Sequence, residues 1–324
     1  ATSLKCGGIV VACTFDHRIA DAYSANMFLR SWAEMAQPTK PTTTTTTPCF
    51  RRSLLSPRRP CSIPHSLYDM YLPISKLTPP QATSTPFLSR IYYVTAEQLH
   101  NMQTLVLMTN GRGTKRTKFE CFSAFLWKIV ACTASKENKK GKKVIAKMGV
   151  VVDGRKRLCN GDKEKEALMG SYFGNMLSIP FGGKEVEELM EKPLGFVADE
   201  VHEFLAMATT KEHFLGLIDW VETHRPEPGV ARIYCGGSEE GPSFVVSSGQ
   251  RLLEGKMDFG WGEVVFASYH FPWGGEAGYV MPMPSPLGND DWVVYMHLAK
   301  EQLDLIESEA TDVFRPISWE YLNQ

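Results

Sequence analysis

The chain has 324 residues, 43% of them hydrophobic, and a formal net charge of −1. That is enough apolar material for a large core and two domains, and near-neutrality excludes a global field for nucleic acid or a membrane surface. The eight cysteines are scattered without a Cys-x-x-Cys pair, which argues for free thiols in a reducing, cytoplasmic compartment and against a disulfide frame or a zinc site.

In chain order, Lys5 to Phe15 is a nearly continuous apolar run with β-branched residues, the composition of a buried strand. Asp16-His17-Arg18 follows. Apolar residues then recur at Ile19, Tyr23, Met27, Trp32 and Met35, a near-3.6 period that predicts a helix over Ile19–Met35. A histidine at a strand-to-helix junction is either a general base at the edge of a cavity or a hydrogen-bonded structural group. A His-x-x-x-Asp spacing occurs twice, at His17/Asp21 and His65/Asp69; the second lies among prolines with no strand before it and reads as a surface accident. Pro38 to Pro48 holds six consecutive threonines and reads as a loop. Arg51, Arg52, Arg58 and Arg59 follow, either a phosphate-holding group or a solvated loop. Proline and threonine stay dense to Pro86, so Gln37–Pro86 is expected to be connection and not core.

Ser89–Val94 reads as a strand. Thr95-Ala-Glu-Gln98 has the form of a capping box opening a helix over Gln98–Met108, which Asn110-Gly-Arg-Gly113 ends. Phe119–Cys132 is a strongly apolar helix, too short for a membrane span and carrying Lys128. Lys136 to Lys147 holds six lysines, a solvated loop or a basic rim that attracts a polyphosphate. Val144–Val152 is a strand left through Asp153-Gly-Arg-Lys-Arg157. Helices are expected at Leu194–Ala208, Lys211–Glu222 and Lys300–Glu309, and strands at Ser243–Ser248, Val264–Phe271, Gly278–Met283 and Trp292–Leu298. The sum is a mixed α/β protein with large sheets.

Several chemistries lack their motifs. There is no Gly-x-Ser-x-Gly elbow, no Walker A, no His-Glu-x-x-His, and Gly111-Arg-Gly113 lacks the third glycine of a dinucleotide loop. No cluster has metal-ligand spacing. A cofactor-free reaction driven by one base remains.

Four stretches in order resemble the plant BAHD acyltransferases: His17-Arg-Ile-Ala-Asp21 behind a Cys-Gly-Gly strand, Asp153-Gly-Arg155 with Arg157, Tyr172-Phe-Gly-Asn175, and Asp258-Phe-Gly-Trp-Gly262. Phe119 to Lys128 also fits. The chain departs from the family pattern at Ala22, where glycine is usual, and at Arg51, where aspartate is usual. The resemblance implies a two-domain chloramphenicol-acetyltransferase-like α/β fold, mixed sheets flanked by helices, with the first domain incomplete. Residues 1–85 would be the remainder of that domain plus a crossover loop, and residues 86–324 the C-terminal domain.

The resemblance also implies an O-acyltransferase that binds no cofactor and uses acyl-CoA as co-substrate and a small alcohol as acceptor. It would be a monomer in the cytoplasm, without metal, nucleic acid or membrane. The wording around His17 is similar to members acting on coniferyl alcohol or related phenylpropanoid alcohols. Transfer of hydroxycinnamoyl groups to shikimate or quinate is the neighbouring alternative, and a truncated, catalytically silent member is the alternative from another class. By resemblance His17 is the base. Asp21 points away from the pocket and pairs with an arginine, Arg155 first and Arg157 second. Asp258, Gly260 and Gly262 shape the channel, Trp261 either lines the acceptor side or simply packs, and Ser123 with the lysine loop lies on the CoA side.

Overall fold

The computed structural model describes residues 1–37, 47–77, 86–111, 113–137, 143–235, 241–250, 257–262, 264–270 and 277–323. The threonine run is therefore outside the described residues from 42 to 46, as are 138–142 of the lysine loop.

The chain opens with a two-residue pairing of β1 (Thr2–Ser3) and β2 (Ile9–Val10). The buried strand expected over Lys5–Phe15 is not there: residues 1–19 are exposed apart from half-buried Val11. An apolar run makes burial favourable only where a second layer covers it, and among the described residues none covers this one. Helix α1 (Ala22–Met35) begins three residues later than the periodicity indicates, because Asp21 is its N-cap, accepting from Ser24 N at 2.9 Å.

The proline-rich stretch is not mere connection. It holds α2 (His65–Met70) and β3 (Tyr71–Pro73), with Leu67 and Leu72 in the core. A buried carboxylate organises it. Asp219 accepts from Arg58 N, Arg58 Nε and Ser62 N at 2.8, 2.7 and 2.9 Å, which satisfies both oxygens away from water. His65 and Asp69 form an exposed 3.5 Å pair.

Next come β4 (Phe87–Val94), α3 (Ala96–Thr109), α4 (Lys118–Glu137), β5 (Ile145–Val150), β6 (Val152–Asp153), α5 (Lys163–Gly170), β7 (Leu177–Ser178), β8 (Phe181–Glu185), α6 (Val186–Glu191), α7 (Leu194–Ala208) and α8 (Lys211–His224). Thr95 caps α3, accepting from Gln98 N at 3.2 Å. The chain ends with β9 (Gly229–Ala231), β10 (Ser243–Val246), β11 (Gly278–Pro284), β12 (Trp292–Ala299), α9 (Lys300–Glu309), β13 (Arg315–Pro316) and α10 (Trp319–Leu322). No strand forms over 264–270, and Phe271 lies outside the described residues. Val264 and Val265 are exposed there, so among the described residues the β-branched composition finds neither a ladder partner nor a cover.

Seven strands make one mixed sheet in the order β13-β4-β12-β11-β10-β5-β8. β10 runs parallel to both neighbours and the remaining pairs are antiparallel. Strand alternation sorts the core. Trp292, Val294, Met296 and Leu298 of β12 join the large cluster under α3, α4, α6, α7 and α9, while Val293 and Tyr295 face the other side. That other side carries two smaller clusters, one around Met281, Met283, Tyr295 and Tyr321 and one around Ala231, Ile233 and Val245. At its rim one carboxylate serves two ends of the fold. Asp291 accepts from Ala96 N at the start of α3 (2.8 Å) and from the Tyr321 hydroxyl of the last helix (3.0 Å).

A second buried polar chain was not legible in the sequence. Tyr71 Oη, Ser178 Oγ and His213 Nε2 are linked at 2.9 and 2.7 Å. Burial pushes the His213 imidazole down to about 4. Its folded value lies below the unfolded one, so the neutral form is favoured by folding and stability falls as pH drops below the unfolded value. Urea unfolding is expected to show about 2 kcal/mol less stability at pH 5 than at pH 7 from this group. His213→Gln should flatten that slope, and an unchanged slope would show that other groups set it.

Candidate active site

His17 lies in the turn between β2 and α1, with its side chain exposed. The turn is built locally and held from afar. Ile19 N donates to Asp16 O at 2.9 Å, and Arg18 pairs with Asp16 at 2.6 Å; those side-chain bonds hold the Asp16 carboxyl down to about 2. From across the fold, Asn175 Nδ2 donates to His17 O at 2.6 Å. The Phe15 ring sits 6.2 Å from the imidazole.

Four residues after His17, Asp21 is fully buried and faces an arginine. Arg155 reaches it with Nη1 at 2.8 Å and Nη2 at 3.1 Å, a two-pronged geometry that a guanidinium matches better than an ammonium. The same Nη2 donates to Ser24 Oγ at 3.0 Å and Gly174 O at 2.9 Å. The guanidinium also lies 4.4 Å over the Tyr23 ring. Asp21 Oδ2 accepts in addition from Met176 N at 3.1 Å. Arg157, the second candidate for this role, is exposed.

These bonds tie three separate segments together: the start of α1, the turn after β6, and residues 172–176. Sequence reading singled out Tyr172-Phe-Gly-Asn175 as a motif without assigning it work. In the fold, Gly174 bonds Ser24 Oγ with both its N–H and its carbonyl, at 3.0 and 2.9 Å, and Asn175 holds the His17 backbone. Arg52 locks the stretch from outside, donating to Tyr172 Oη and Phe173 O, both at 2.7 Å. Three of the four arginines of the proline-rich stretch turn to separate partners instead of one shared group: Arg52 goes to Tyr172, Arg58 to Asp219 and Arg59 to Glu222.

Asp258 to Gly262 form a tight loop. Asp258 Oδ1 accepts from Gly260 N at 2.8 Å and Gly262 N at 3.1 Å. Both glycines have positive φ, +91° and +113°, a region that side-chain-bearing residues rarely adopt. The loop leans on α1: Phe259 meets Trp32 edge-on at 5.1 Å, and Gln37 Nε2 donates to Asp258 O. Trp261 stacks on Phe259 at 5.6 Å and remains 60% exposed. So Trp261 is not plain core packing. Ser123, by contrast, is fully buried on α4, its Oγ without a partner among the described residues.

No group of three His, Cys, Asp or Glu side chains among the described residues could hold a metal, and no described helix is long and apolar enough to cross a membrane.

Compared with known proteins, the chain matches the Transferase family over residues 1–313. The chain belongs to the BAHD transferase family. Among its BAHD relatives are the omega-hydroxypalmitate O-feruloyl transferase of Arabidopsis thaliana, 28% identical over 270 residues, with 82% of this chain and 54% of the relative covered. The shikimate O-hydroxycinnamoyltransferase of Nicotiana tabacum is 25% identical over 315 residues, covering 94% of this chain and 67% of the relative. The chain spans about half to two thirds of the length of the curated relatives it matches. Among solved structures, F. graminearum TRI101 in complex with coenzyme A and deoxynivalenol superposes with a TM-score of 0.71 at 15% identity, covering 91% of this chain and 65% of that one. Vinorine synthase superposes at 0.61 with 17% identity, covering 93% and 62%. The expected α/β fold class is thus the BAHD transferase fold, a mixed sheet flanked by helices.

Proposed function

We propose that this BAHD family chain moves an acyl group from a coenzyme A thioester to the hydroxyl of a phenylpropanoid alcohol, with His17 as general base. The observation that carries the reading is the Asp21–Arg155 pair and its network. They anchor Asp21, four residues after His17, and, through Asn175 next to Met176, the His17 carbonyl itself, and leave the imidazole exposed. A base must be held at hydrogen-bond distance of the proton it takes, and a rigid turn outside the core provides that.

The acceptor hydroxyl gives its proton to the imidazole as its oxygen attacks the thioester carbonyl. A C–O bond forms and the carbonyl becomes a tetrahedral oxyanion. Collapse re-forms the carbonyl and breaks the C–S bond. The leaving thiolate takes the proton back from the imidazolium, so ester and free CoA leave with the base restored. Feruloyl and hydroxycinnamoyl transfer, in the names of the two relatives above, supports an aromatic acyl donor and an alcohol acceptor. The free cysteines support a cytoplasmic setting.

The test is release of free CoA thiol from acetyl-, coumaroyl- and caffeoyl-CoA, each offered with coniferyl alcohol, shikimate or an amine. The expected result is release that depends on coniferyl alcohol, is lost in His17→Ala and survives in His65→Ala. Preference for shikimate would move the acceptor to the hydroxycinnamoyl shikimate class. Equal release from parent and His17→Ala would overturn the mechanism.

A further inference from the structure

Residues 49–52 run as a strap along the segment that holds the His17 turn. Cys49 N donates to Ser171 O at 2.7 Å and Phe173 N donates to Cys49 O at 2.9 Å, and the two stretches are parallel at the Cys49–Tyr172 bridge. The Phe50 and Phe173 rings sit 5.5 Å apart. The strap ends in Arg52, whose side chain turns back onto the same segment. A single nitrogen, Nη1, donates to both Tyr172 Oη and Phe173 O at 2.7 Å, which uses both of its hydrogens. The guanidinium lies 5.2 Å from the centroid of the Tyr172 ring. Gly174 lets it in: a Cβ there would stand 2.5 Å from Nη1.

One peptide group is thereby gripped from two sides. The peptide between Phe173 and Gly174 is a rigid plane whose C=O and N–H point in opposite directions. Its carbonyl accepts from exposed Arg52, and its N–H donates to the Oγ of buried Ser24 on α1 at 3.0 Å. The next carbonyl, that of Gly174, accepts from Ser24 Oγ and Arg155 Nη2, both at 2.9 Å. Asn175 follows, and its Nδ2 holds His17 O. Gly174 has a φ of +152°, and a residue without a Cβ supplies no stiffness of its own. The direction of Asn175 therefore depends on the bonds to the two planes flanking Gly174, and Arg52 supplies the one on the solvent side.

We infer that Arg52 is a positioning residue for the proposed base, acting through the Phe173–Gly174 peptide and Asn175 on the backbone of His17. This deepens the transferase reading and rests on it for its catalytic meaning, while the tether itself is read without turnover. Its effect is separable from stability. Arg52 is exposed, and the backbone bonds of Cys49 and the buried Asp21–Arg155 pair do not involve its side chain. Truncating it leaves those anchors in place and loosens the orientation of Asn175. Because both bonds come from one nitrogen, the fork of the guanidinium is not needed. A lysine ammonium, a compact charge with three donors, serves the same two oxygens.

The experiment pairs amide hydrogen exchange of Arg18 and Ile19 with steady-state CoA release. The proteins are the parent, Arg52→Met, Arg52→Lys, Asn175→Ala and the double variant Arg52→Met/Asn175→Ala. Both amides are hydrogen-bonded within the turn, to Asp16 Oδ1 and Asp16 O at 2.9 Å, so their exchange reports its opening. Arg52→Met is expected to speed that exchange severalfold and to leave KM for both substrates and the melting temperature nearly unchanged. Its kcat should fall by about tenfold, a part of the roughly 10²-fold that a misplacement near 1 Å costs. Arg52→Lys should recover most of both. The double variant should be no slower than Asn175→Ala alone, because the two residues act in series. Unchanged exchange in Arg52→Met overturns the tether, and so do losses that multiply in the double variant. Exchange that quickens across the whole chain, with a melting temperature several degrees lower, marks a merely structural role and overturns it too. Exchange that responds as expected in a protein that releases no CoA sinks the transferase reading alone. Acceptor-dependent release with kcat untouched in Arg52→Met sinks the positioning role alone.

Discussion

Asp21→Ala is expected to lower folding stability by about 3–5 kcal/mol, read as a shift of the urea midpoint with unchanged slope. The cost does not come from losing an attraction. It comes from what is left behind: Arg155 remains buried at 3% side-chain exposure with its principal countercharge gone, and Ser24 N and Met176 N lose the carboxylate they donate to. Asp153 still stands 3.3 Å from Nη1 but is 43% exposed, so it compensates only in part. Asp21→Asn keeps the shape and an N-cap oxygen and should cost less. Arg155→Met strands the opposite charge and should cost about as much as Asp21→Ala. The double variant Asp21→Ala/Arg155→Met should be less damaged than the sum, because neither partner is then left unpaired. Additive losses would show that the two residues do not act through each other. Activity in Asp21→Ala should vanish with the fold, which distinguishes it from the base.

His17→Ala should do the reverse. Removing a general base costs about 10²–10⁴-fold in rate, and kcat for CoA release should fall by that amount. The melting temperature should stay within about a degree, because an exposed side chain far from the core contributes little to stability. The alanine keeps the carbonyl that Asn175 holds. Asn175→Ala then gives the intermediate case: imidazole present, turn untethered. Its kcat should fall by up to about 10²-fold, the scale of a misplacement near 1 Å. A His17→Ala protein that has lost both activity and several degrees of melting temperature would place the residue in the structural class.

Where periodicity was strong and caps were explicit, the sequence was transparent. α7 and α9 span the expected Leu194–Ala208 and Lys300–Glu309, and Thr95 caps α3 as its spacing suggests. The site was legible as motifs before it was legible as geometry. The resemblance put Arg155 first and Arg157 second as the partner of Asp21, and it is Arg155 that is enclosed and bonded to it, with Arg157 exposed. The failures share one cause. Lys5–Phe15 and Val264–Phe271 have strand composition, but composition says that a segment can be buried and not that anything covers it. The proline-rich stretch failed in the opposite direction. Its order comes from Asp219, more than 150 residues away, and a partner at that distance leaves no local trace. The same holds for Asn175 and Arg52, whose hydrogen bonds to the His17 turn and Tyr172 are long-range.

The double duty of Asp291 bears on how the sheet unit comes apart. Short peripheral elements usually open first, independently of the interior. Here the last helix is fastened through Tyr321 to the carboxylate that also receives the first amide of α3, and the Tyr321 ring stacks 3.9 Å from Tyr93 in β4. Peeling α10 away therefore loosens the entry to α3 and its contact with β4, a strand paired on both sides, in the same event. A four-residue helix at the margin of the sheet is wired into its cooperative interior.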